Sequence, residues 1–225
     1  MKQAAHTRPT GRSRGLLGGP ITYDLGDKEL QSEQQFYATC GVCKKCEEGN
    51  LTRLRKREIC GANSKPGSTV RVVFPYPDYL SATSYDIDND TKLLCSLIER
   101  STGINLVYKF KWIPIVRCCV PKVKPTHIKN CSGFFEESKT EKLILFGKKA
   151  VSMLLFGNAS TPDINILSGR KVEQDGKEYL VFAGTEIFET FREWPERLSE
   201  VLSPGGLYCK QASRAKEVLQ QWAGG

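Results

Sequence analysis

Six of the nine cysteines fall into two groups that lie roughly eighty residues apart. The first group is Cys40, Cys43 and Cys46, and the second is Cys118, Cys119 and Cys131. Thiolates at this density can complete a zinc site or hold an iron–sulfur cluster, because both need four soft ligands from separate segments. Composition does not choose between the two. The isolated cysteines are expected to be small buried apolar side chains instead: Cys60, Cys95 and Cys209.

The expected redox environment of the protein bears on whether its cysteines form disulfides or bind a metal. The first twenty residues contain no apolar run long enough for a secretory signal, and no stretch of the chain approaches the roughly 18 to 20 apolar residues of a membrane span. We therefore expect a soluble, cytoplasmic protein with no membrane partner. Disulfides rarely persist in that reducing compartment, and an odd number of cysteines fits a closed disulfide framework poorly. Both points favour metal ligation.

Positive charge is concentrated in three places. The chain has 33 Lys and Arg against 25 Asp and Glu, a net charge of +8. Residues 1–20 hold four of these cations and no acid among Gly, Pro, Ser and Thr, which predicts a flexible basic tail before one domain over 21–225. Residues 44–57 and 109–129 are also basic, and the second stretch contains no acid. Such clusters can neutralise phosphates, and a solvated face is the alternative.

Alternating strands and helices are predicted to position these residues. Short apolar or β-branched runs predict four strands, Val70–Phe74, 106–116, Lys142–Phe146 and 179–182. Helical spacing of apolar residues predicts helices over 91–101, 126–138, 148–156, 186–202 and 213–222. This alternation implies crossover connections, and hence a three-layer α/β sandwich with a mostly parallel four-stranded sheet. Ligands of such sheets bind at the carboxyl ends of the strands.

These features, in this order, resemble the iron–sulfur branch of the uracil-DNA glycosylase superfamily. That family carries an N-terminal CxxC, a strand ending in a GEAPG-like loop, a Leu-Leu helix, a V-K-C-x-P-P segment, a cysteine at a helix start and an I-V-x-x-L-G-x-x-A strand and turn. The similar pieces here are 40–43 (CGVC), 59–61 (ICG) leading to Val70–Phe74, Leu93 with Leu94, 115–121 (IVRCCVP), 125–131 and 143–150 (LILFGKKA). The resemblance extends from about residue 38 to residue 157.

The resemblance implies a uracil-DNA glycosylase-like fold and a structural [4Fe–4S] cluster. The implied ligands are Cys40, Cys43, Cys118 and Cys131, with Cys46 and Cys119 as substitutes if the alignment is off by one ligand. DNA is the implied partner, contacted by basic residues around the cluster. The candidates are Arg55, Lys56, Arg57, Arg117, Lys122, Lys124 and Lys129.

The chain departs from the family at each reactive loop. Pro75 replaces the acidic residue of the GEAPG-like loop, and Pro114 falls where the family has a uracil-reading Asn. The loop 183–186 (AGTE) replaces the His-Pro-Ser-type loop that supplies the leaving-group donor. Because losing one donor of this kind costs about 2.7–4 kcal/mol of transition-state stabilisation, efficient uracil excision is not expected.

A repurposed pocket is the alternative to lost chemistry. Three tyrosines can stack on a base, Tyr76, Tyr79 and Tyr85, and four residues can hold a water, Asp78, Asp86, Asp88 and Thr185. Asp78, Asp86 and Tyr85 are the catalytic candidates on this view. The simpler interpretation is that the tyrosines pack and that residues 86–90 (DIDND) form a helix-start turn capped by Asp90.

Three functions follow. The first is a cluster-stabilised, DNA-binding scaffold without efficient uracil excision, acting as an accessory subunit in DNA replication or repair with a protein partner. The second is an active glycosylase that acts on uracil or another modified base. The third is a zinc-stabilised module that binds RNA or protein.

The acidic segment 186–202 is poorly suited to DNA binding. Its aromatic residues Phe188, Phe191 and Trp194 make it either a surface that docks a protein partner or a solvated face.

Overall fold

The structure is a computed structural model that describes residues 52–53, 69–74, 87–116, 118–119, 124–136, 142–157 and 163–224. For residues 52–53, 118–119 and 132–136 it describes the backbone only. The strands are β1 (Thr52–Arg53), β2 (Val70–Phe74), β3 (Lys111–Pro114), β4 (Cys118–Cys119), β5 (Lys142–Phe146), β6 (Lys171–Gln174) and β7 (Lys177–Phe182). The helices are α1 (Asn89–Thr102), α2 (Leu106–Lys109), α3 (Pro125–Glu136), α4 (Lys148–Leu155), α5 (Ile164–Leu167), α6 (Glu186–Thr190), α7 (Pro195–Leu202), α8 (Leu207–Ser213) and α9 (Lys216–Gly224). The predicted tail, residues 1–20, lies outside the described residues.

A five-stranded, mostly parallel sheet organises this fold. Its strand order is β3-β2-β5-β7-β6, with the first four strands parallel and β6 antiparallel to β7. The strands are rich in β-branched and aromatic residues, and β5 buries all but its first side chain. Near-continuous apolar strands of this kind are typical of parallel sheets whose two faces are both covered.

Helices cover the sheet. The chain moves from β2 to β3 in one direction across the sheet and from β5 to β7 in the other. Because parallel crossovers are right-handed, α1 and α4 lie on opposite faces. Helices α8 and α9 contact α1, and α4 contacts β5 and β2. The α/β class and the layered architecture predicted from sequence are therefore confirmed.

The predicted four-stranded sheet is one strand short of the observed one. Asp175 and Gly176 both have positive φ, 53° and 73°, which is the backbone of a two-residue hairpin turn. This turn pairs β7 with β6, whose sequence KVEQ is largely exposed. Strand β6 has no apolar alternation, so periodicity could not predict it.

Two predicted elements are wrong because local signals end them. Residues 106–116 are not one strand: the Asn105 side chain accepts the Val107 N–H at 3.0 Å and caps α2, and the strand begins only at Lys111. Residues 186–202 are not one helix either. Trp194 is extended (φ −132°) ahead of Pro195, which cannot donate a helical hydrogen bond, so α6 and α7 are separate.

Helix α1 and its N-terminal cap begin two residues earlier than the sequence suggests. Asp88, not Asp90, is the cap: its Oδ1 accepts the Thr91 N–H at 2.8 Å and its Oδ2 accepts the Thr91 hydroxyl at 2.7 Å. The helix ends at Gly103, whose φ of 80° favours glycine. Both Asp88 oxygens therefore accept hydrogen bonds in the helix cap.

The isolated cysteines confirm their predicted role where they are described. Cys95 on α1 is fully buried and Cys209 on α8 is 6% exposed. The Cys209 thiol lies 4.0 Å from the Leu97 carbonyl oxygen, at the contact between these two helices. Both side chains fill the interior between α1 and α8. Cys60 lies outside the described residues.

Candidate functional site

The carboxyl edge of the sheet has one topological switch point. After β2 the chain goes outward to β3, and it then returns to the other side of β2 to form β5. Loops diverge in opposite directions between two such strands, and this leaves the crevice in which open α/β sheets bind ligands. Phe74 and Phe146 are the last residues of β2 and β5 at this edge.

Two glycines bring the loops after β5 and β7 together. Gly147 has φ 97° and donates its N–H to the Phe182 carbonyl at 2.9 Å. A Cβ on Gly184 would lie 2.8 Å from the Gly147 Cα, a distance that side chains do not tolerate. Both positions therefore require glycine. The start of α4 and the loop after β7 are in direct backbone contact.

The Glu186 carboxylate closes over these glycines. Its Oε1 accepts the backbone N–H of Lys148 at 2.8 Å and that of Gly184 at 3.0 Å. Lys148 is the first residue of α4, so its N–H belongs to the positive end of that helix. A helix start at the carboxyl edge of a parallel sheet is where such folds commonly hold an anion. Here the chain's own carboxylate takes up that hydrogen-bonding capacity.

Sequence reasoning placed Glu186 in the loop that replaces the His-Pro-Ser-type loop and in the acidic segment 186–202, but gave it no role of its own. Its acceptor role depends on Lys148, which is 38 residues earlier in the chain. A local signal exists in the small pair Ala183-Gly184 followed by an acid at the end of an apolar strand. That signal could suggest an acid at the sheet edge, but not its partners.

An aromatic cluster lies below the same edge. The Trp112 ring lies 6.1 Å from Phe74 and 5.2 Å from Phe146, and Trp112 is 1% exposed. The Tyr208 hydroxyl donates to the Ala183 carbonyl at 2.9 Å. Burial raises the pKa of the Tyr208 phenol well above its ordinary 10.0. Tyr208 is therefore a neutral, structural hydrogen-bond donor rather than an acid–base group.

The described pocket candidates do not assemble a base-reading site. Pro114 is buried in β3, in register with Phe74, so no carboxamide stands at that strand end. Thr185 is exposed at the start of α6 and makes no side-chain capping bond. The other candidates lie outside the described residues: Asp78, Asp86, Tyr76, Tyr79 and Tyr85.

The backbone places a short strand that follows the first cysteine group in the sequence next to Cys118 and Cys119. Strand β1 pairs antiparallel with β4, with Thr52 opposite Cys119 and Arg53 opposite Cys118. Thr52 follows Cys46 by six residues and Cys43 by nine. The pairing therefore places Thr52–Arg53, a few residues after the first cysteine group in the sequence, next to Cys118 and Cys119.

Helix α3 carries the last proposed ligand. Cys131 is 7% exposed, and His127, four residues earlier, is 2% exposed. The His127 Nδ1 accepts the backbone N–H of Lys124 at 3.1 Å, just before the helix begins. This places His127 at the third helical position, where a Glu or Gln acceptor usually completes a capping box. Sequence reasoning did not find this role of His127.

The residue types, taken by themselves, are those that hold a thiolate-bound group. The donors are thiolates, which are soft ligands. Cys131 is buried on a capped helix, and Cys118 and Cys119 form a strand that pairs with the remote segment Thr52–Arg53. Cys40, Cys43 and Cys46 lie outside the described residues, as do the side chains of Cys118 and Cys119. Among the side chains that are described, no three His, Cys, Asp or Glu converge as a metal site.

The predicted nucleic-acid contacts are described only in part. Lys124 and Lys129 are both exposed, at the start and on the second turn of α3, and no acid occupies the first turn of that helix. The remaining candidates lie outside the described residues: Arg55, Lys56, Arg57, Arg117 and Lys122.

The three aromatic residues of the acidic segment 186–202 differ in exposure. Within the described part, Phe188 and Phe191 pack against the core and Trp194 is 51% exposed beneath Arg197.

Removing the Glu186 carboxylate should destabilise the fold. In Glu186→Ala, the N–H groups of Lys148 and Gly184 lose their acceptor, and we expect a loss of about 1–3 kcal/mol in the free energy of unfolding. Glu189 is an exposed acid on the same helix, so Glu189→Ala is the control and should change stability by less than about 0.5 kcal/mol. Urea denaturation of both variants measures this. Equal effects would contradict the proposed role of the carboxylate.

Comparison with known proteins does not identify a family. No protein-family model matches the chain, and no curated protein matches its sequence. The function is therefore argued from the residues and the fold of the chain itself.

Proposed function

We propose that this protein is a DNA-binding iron–sulfur protein with a uracil-DNA glycosylase-like fold. In this proposal a [4Fe–4S] cluster held by Cys40, Cys43, Cys118 and Cys131 orders a basic surface, and uracil excision is inefficient. The protein then acts as an accessory subunit in DNA replication or repair, in the reducing cytoplasm that such a cluster requires.

The pairing of β1 with β4 carries this proposal. Four ligands from two segments can share a cluster only if the backbone brings those segments together. The antiparallel pair sets Arg53 opposite Cys118, although 65 residues separate them in the sequence. A two-stranded pair this short buries little apolar surface of its own. In this proposal, the cluster bound beside the pair accounts for its formation.

The order of the elements also supports the proposal. The resembling motifs fall on β2, α1, the segment after β3 that contains β4, α3 and β5, in the order that the resemblance requires. The turn after β5 uses Gly147 at positive φ, as the glycine of an L-G-x-x-A turn would, and α4 begins directly after it. The family's cysteine at a helix start corresponds to Cys131, which in this chain is the seventh residue of α3 rather than at its start.

The carboxyl edge supports weak or absent excision chemistry. A glycosylase must place a donor where the departing base develops negative charge. At this edge the N–H groups of Lys148 and Gly184 already bind the Glu186 carboxylate, which would repel such an anion. Pro114 offers no side-chain donor at the neighbouring strand end.

Iron should copurify with the protein. Anaerobically purified protein is expected to contain about four iron atoms per chain and a broad visible absorbance band. Cys131→Ala should lose most of the iron, because three thiolates hold a cluster poorly. Cys209→Ala is a matched control: this cysteine is also helical and buried, 6% exposed against 7% for Cys131, and lies outside the ligand set.

Metal analysis separates this proposal from the alternatives. Zinc in place of iron, lost in Cys131→Ala and kept in Cys209→Ala, would support the zinc-stabilised module instead. Protein that holds neither metal, with Cys131→Ala equal to wild type, would contradict the cluster.

DNA affinity should depend on the exposed lysines of α3. The double variant K124Q/K129Q is expected to weaken DNA binding at physiological salt and to reduce the slope of log affinity against log salt by about 1 per lysine. The control K210Q/K216Q removes the same charge from exposed lysines of α8 and α9 and should leave both quantities nearly unchanged. Fluorescence anisotropy across a salt series measures the effect. Equal losses in the two double variants would point to nonspecific charge attraction.

Uracil excision should be slow or absent. The iron-loaded protein is tested on single-stranded and duplex oligonucleotides that contain deoxyuridine or deoxyinosine. We expect turnover far below the roughly 1 s⁻¹ lower end of ordinary enzymes. Turnover at ordinary rates would contradict the accessory role. If Asp78→Asn or Asp86→Asn then abolished it and left DNA binding intact, the active glycosylase would be the correct alternative.

A further inference from the structure

The start of helix α7 carries an apolar pair that the core does not use. The core contacts of this segment come from four other apolar residues: Phe188, Phe191, Val201 and Leu202. Trp194 is 51% exposed and Leu198 is half-buried, and within the described chain neither belongs to that packing. The Leu198 N–H donates to the Trp194 carbonyl at 3.0 Å, so the two residues are one helical turn apart. The first turn of α7 therefore presents an apolar pair at the surface.

Three exposed carboxylates surround this pair, those of Glu193, Glu196 and Glu200. Glu196 and Glu200 are four residues apart on α7, a spacing at which like charges repel. Glu200 is also in the last turn, at the negative end of the helix dipole. No described side chain forms an ion pair with any of the three acids. We refer to the apolar pair and these three acids together as the α7 face.

The charge of the α7 face is opposite to that of the protein. The whole chain has a net charge of +8, whereas residues 186–202 hold five acids and two arginines. One of these arginines, Arg197, lies over the Trp194 ring at 5.9 Å from its centroid. Screening limits the reach of exposed charges to about 8 Å at physiological ionic strength, so a ligand on this face experiences the nearby carboxylates most strongly. The face therefore repels phosphates and attracts cationic groups.

We infer that the α7 face binds a basic, amphipathic segment of a partner protein. An apolar side chain of that segment packs beside Trp194, and its Lys or Arg residues pair with the carboxylates of the face. Trp is enriched among the residues that contribute most to binding at interfaces, because it buries a large area at low entropic cost. This inference depends on neither the proposed cluster nor DNA binding, which involve other segments of the chain.

Two labelled peptides test the chemistry of the partner. The first has leucines at helical spacing and lysines elsewhere, and the second has the same lysines with serine in place of each leucine. Fluorescence anisotropy with the full chain measures both affinities. The leucine peptide should bind at least about tenfold more tightly, since burying one large apolar side chain contributes that much. Equal affinities would overturn the inference, because charge alone would then explain the binding.

Substitution of the apolar pair locates the site. Trp194→Ser should weaken binding of the leucine peptide at least about tenfold. Ile166→Ser is the control because it changes another exposed apolar side chain, 58% exposed on α5, and should leave the affinity unchanged. If both variants lost affinity equally, the peptide would not be binding at the α7 face.

Substitution of the acids tests the charge pairing. E196Q/E200Q should weaken binding of the leucine peptide and reduce its dependence on salt concentration. The control D90N/E217Q removes two exposed carboxylates of α1 and α9 and should change neither quantity. The same loss in both double variants would rule out local pairing with the face.

Acrylamide quenching of tryptophan fluorescence identifies the occupant without changing the face. Of the three tryptophans, Trp112 and Trp222 are 1% and 5% exposed, so acrylamide quenches mainly Trp194. Adding the leucine peptide should reduce the quenching. If R8Q/R12Q/R14Q or tenfold dilution of the protein alone increased it, the chain's own basic tail or a second copy would cover the face. Either result would overturn the assignment to a partner protein.

Discussion

The parallel pairing of β2 with β5 is the constraint on which the rest of this fold depends. It sets the first strand of the sheet between the second and the third, so the connections run in opposite directions and helices must cover both faces. The same pairing aligns the carboxyl ends of β3, β2, β5 and β7 at one edge. Every candidate for chemistry in the described part of that edge is positioned by it.

At the carboxyl edge of the sheet, backbone N–H donors bind a carboxylate of the chain itself. The N-terminus of α4 and the loop after β7 present N–H groups that would otherwise bind an anionic ligand, and Glu186 provides the anion from within the fold. The close contact of Gly147 with Gly184 leaves no space for a side chain between them. A surface that stabilises the native state in this way is a poor candidate for stabilising a transition state, because the same donors cannot serve both acceptors. This is the physical basis for proposing a scaffold rather than an efficient glycosylase.

The segment after β3 is organised differently, around sulfur and positive charge. Strand β4 is two residues long. Its partner β1 lies much earlier in the sequence, before the first strand of the five-stranded sheet. Elements this short need an additional stabilising group, which a thiolate-held cluster supplies in the proposed function. His127 adds a buried, oriented ring to helix α3, one turn before Cys131. In the proposed function, the lysines on that helix lie on a backbone that the cluster and the cap hold together.

Local patterns predicted the strands Val70–Phe74 and Lys142–Phe146 with their observed bounds. The reason is that each strand coincides with a short β-branched or apolar run whose two ends are visible in the sequence. They also predicted the α/β class and the burial of Cys95 and Cys209. Patterns failed where a cap or a proline at one position overrides the period of its neighbours, as at Asn105 and Pro195. Strand order, the partner of β4 and the acceptor roles of Glu186 and His127 were decided only in the folded chain. Each depends on which backbone groups meet in space, and for Glu186 and Lys148 those groups are 38 residues apart in the sequence.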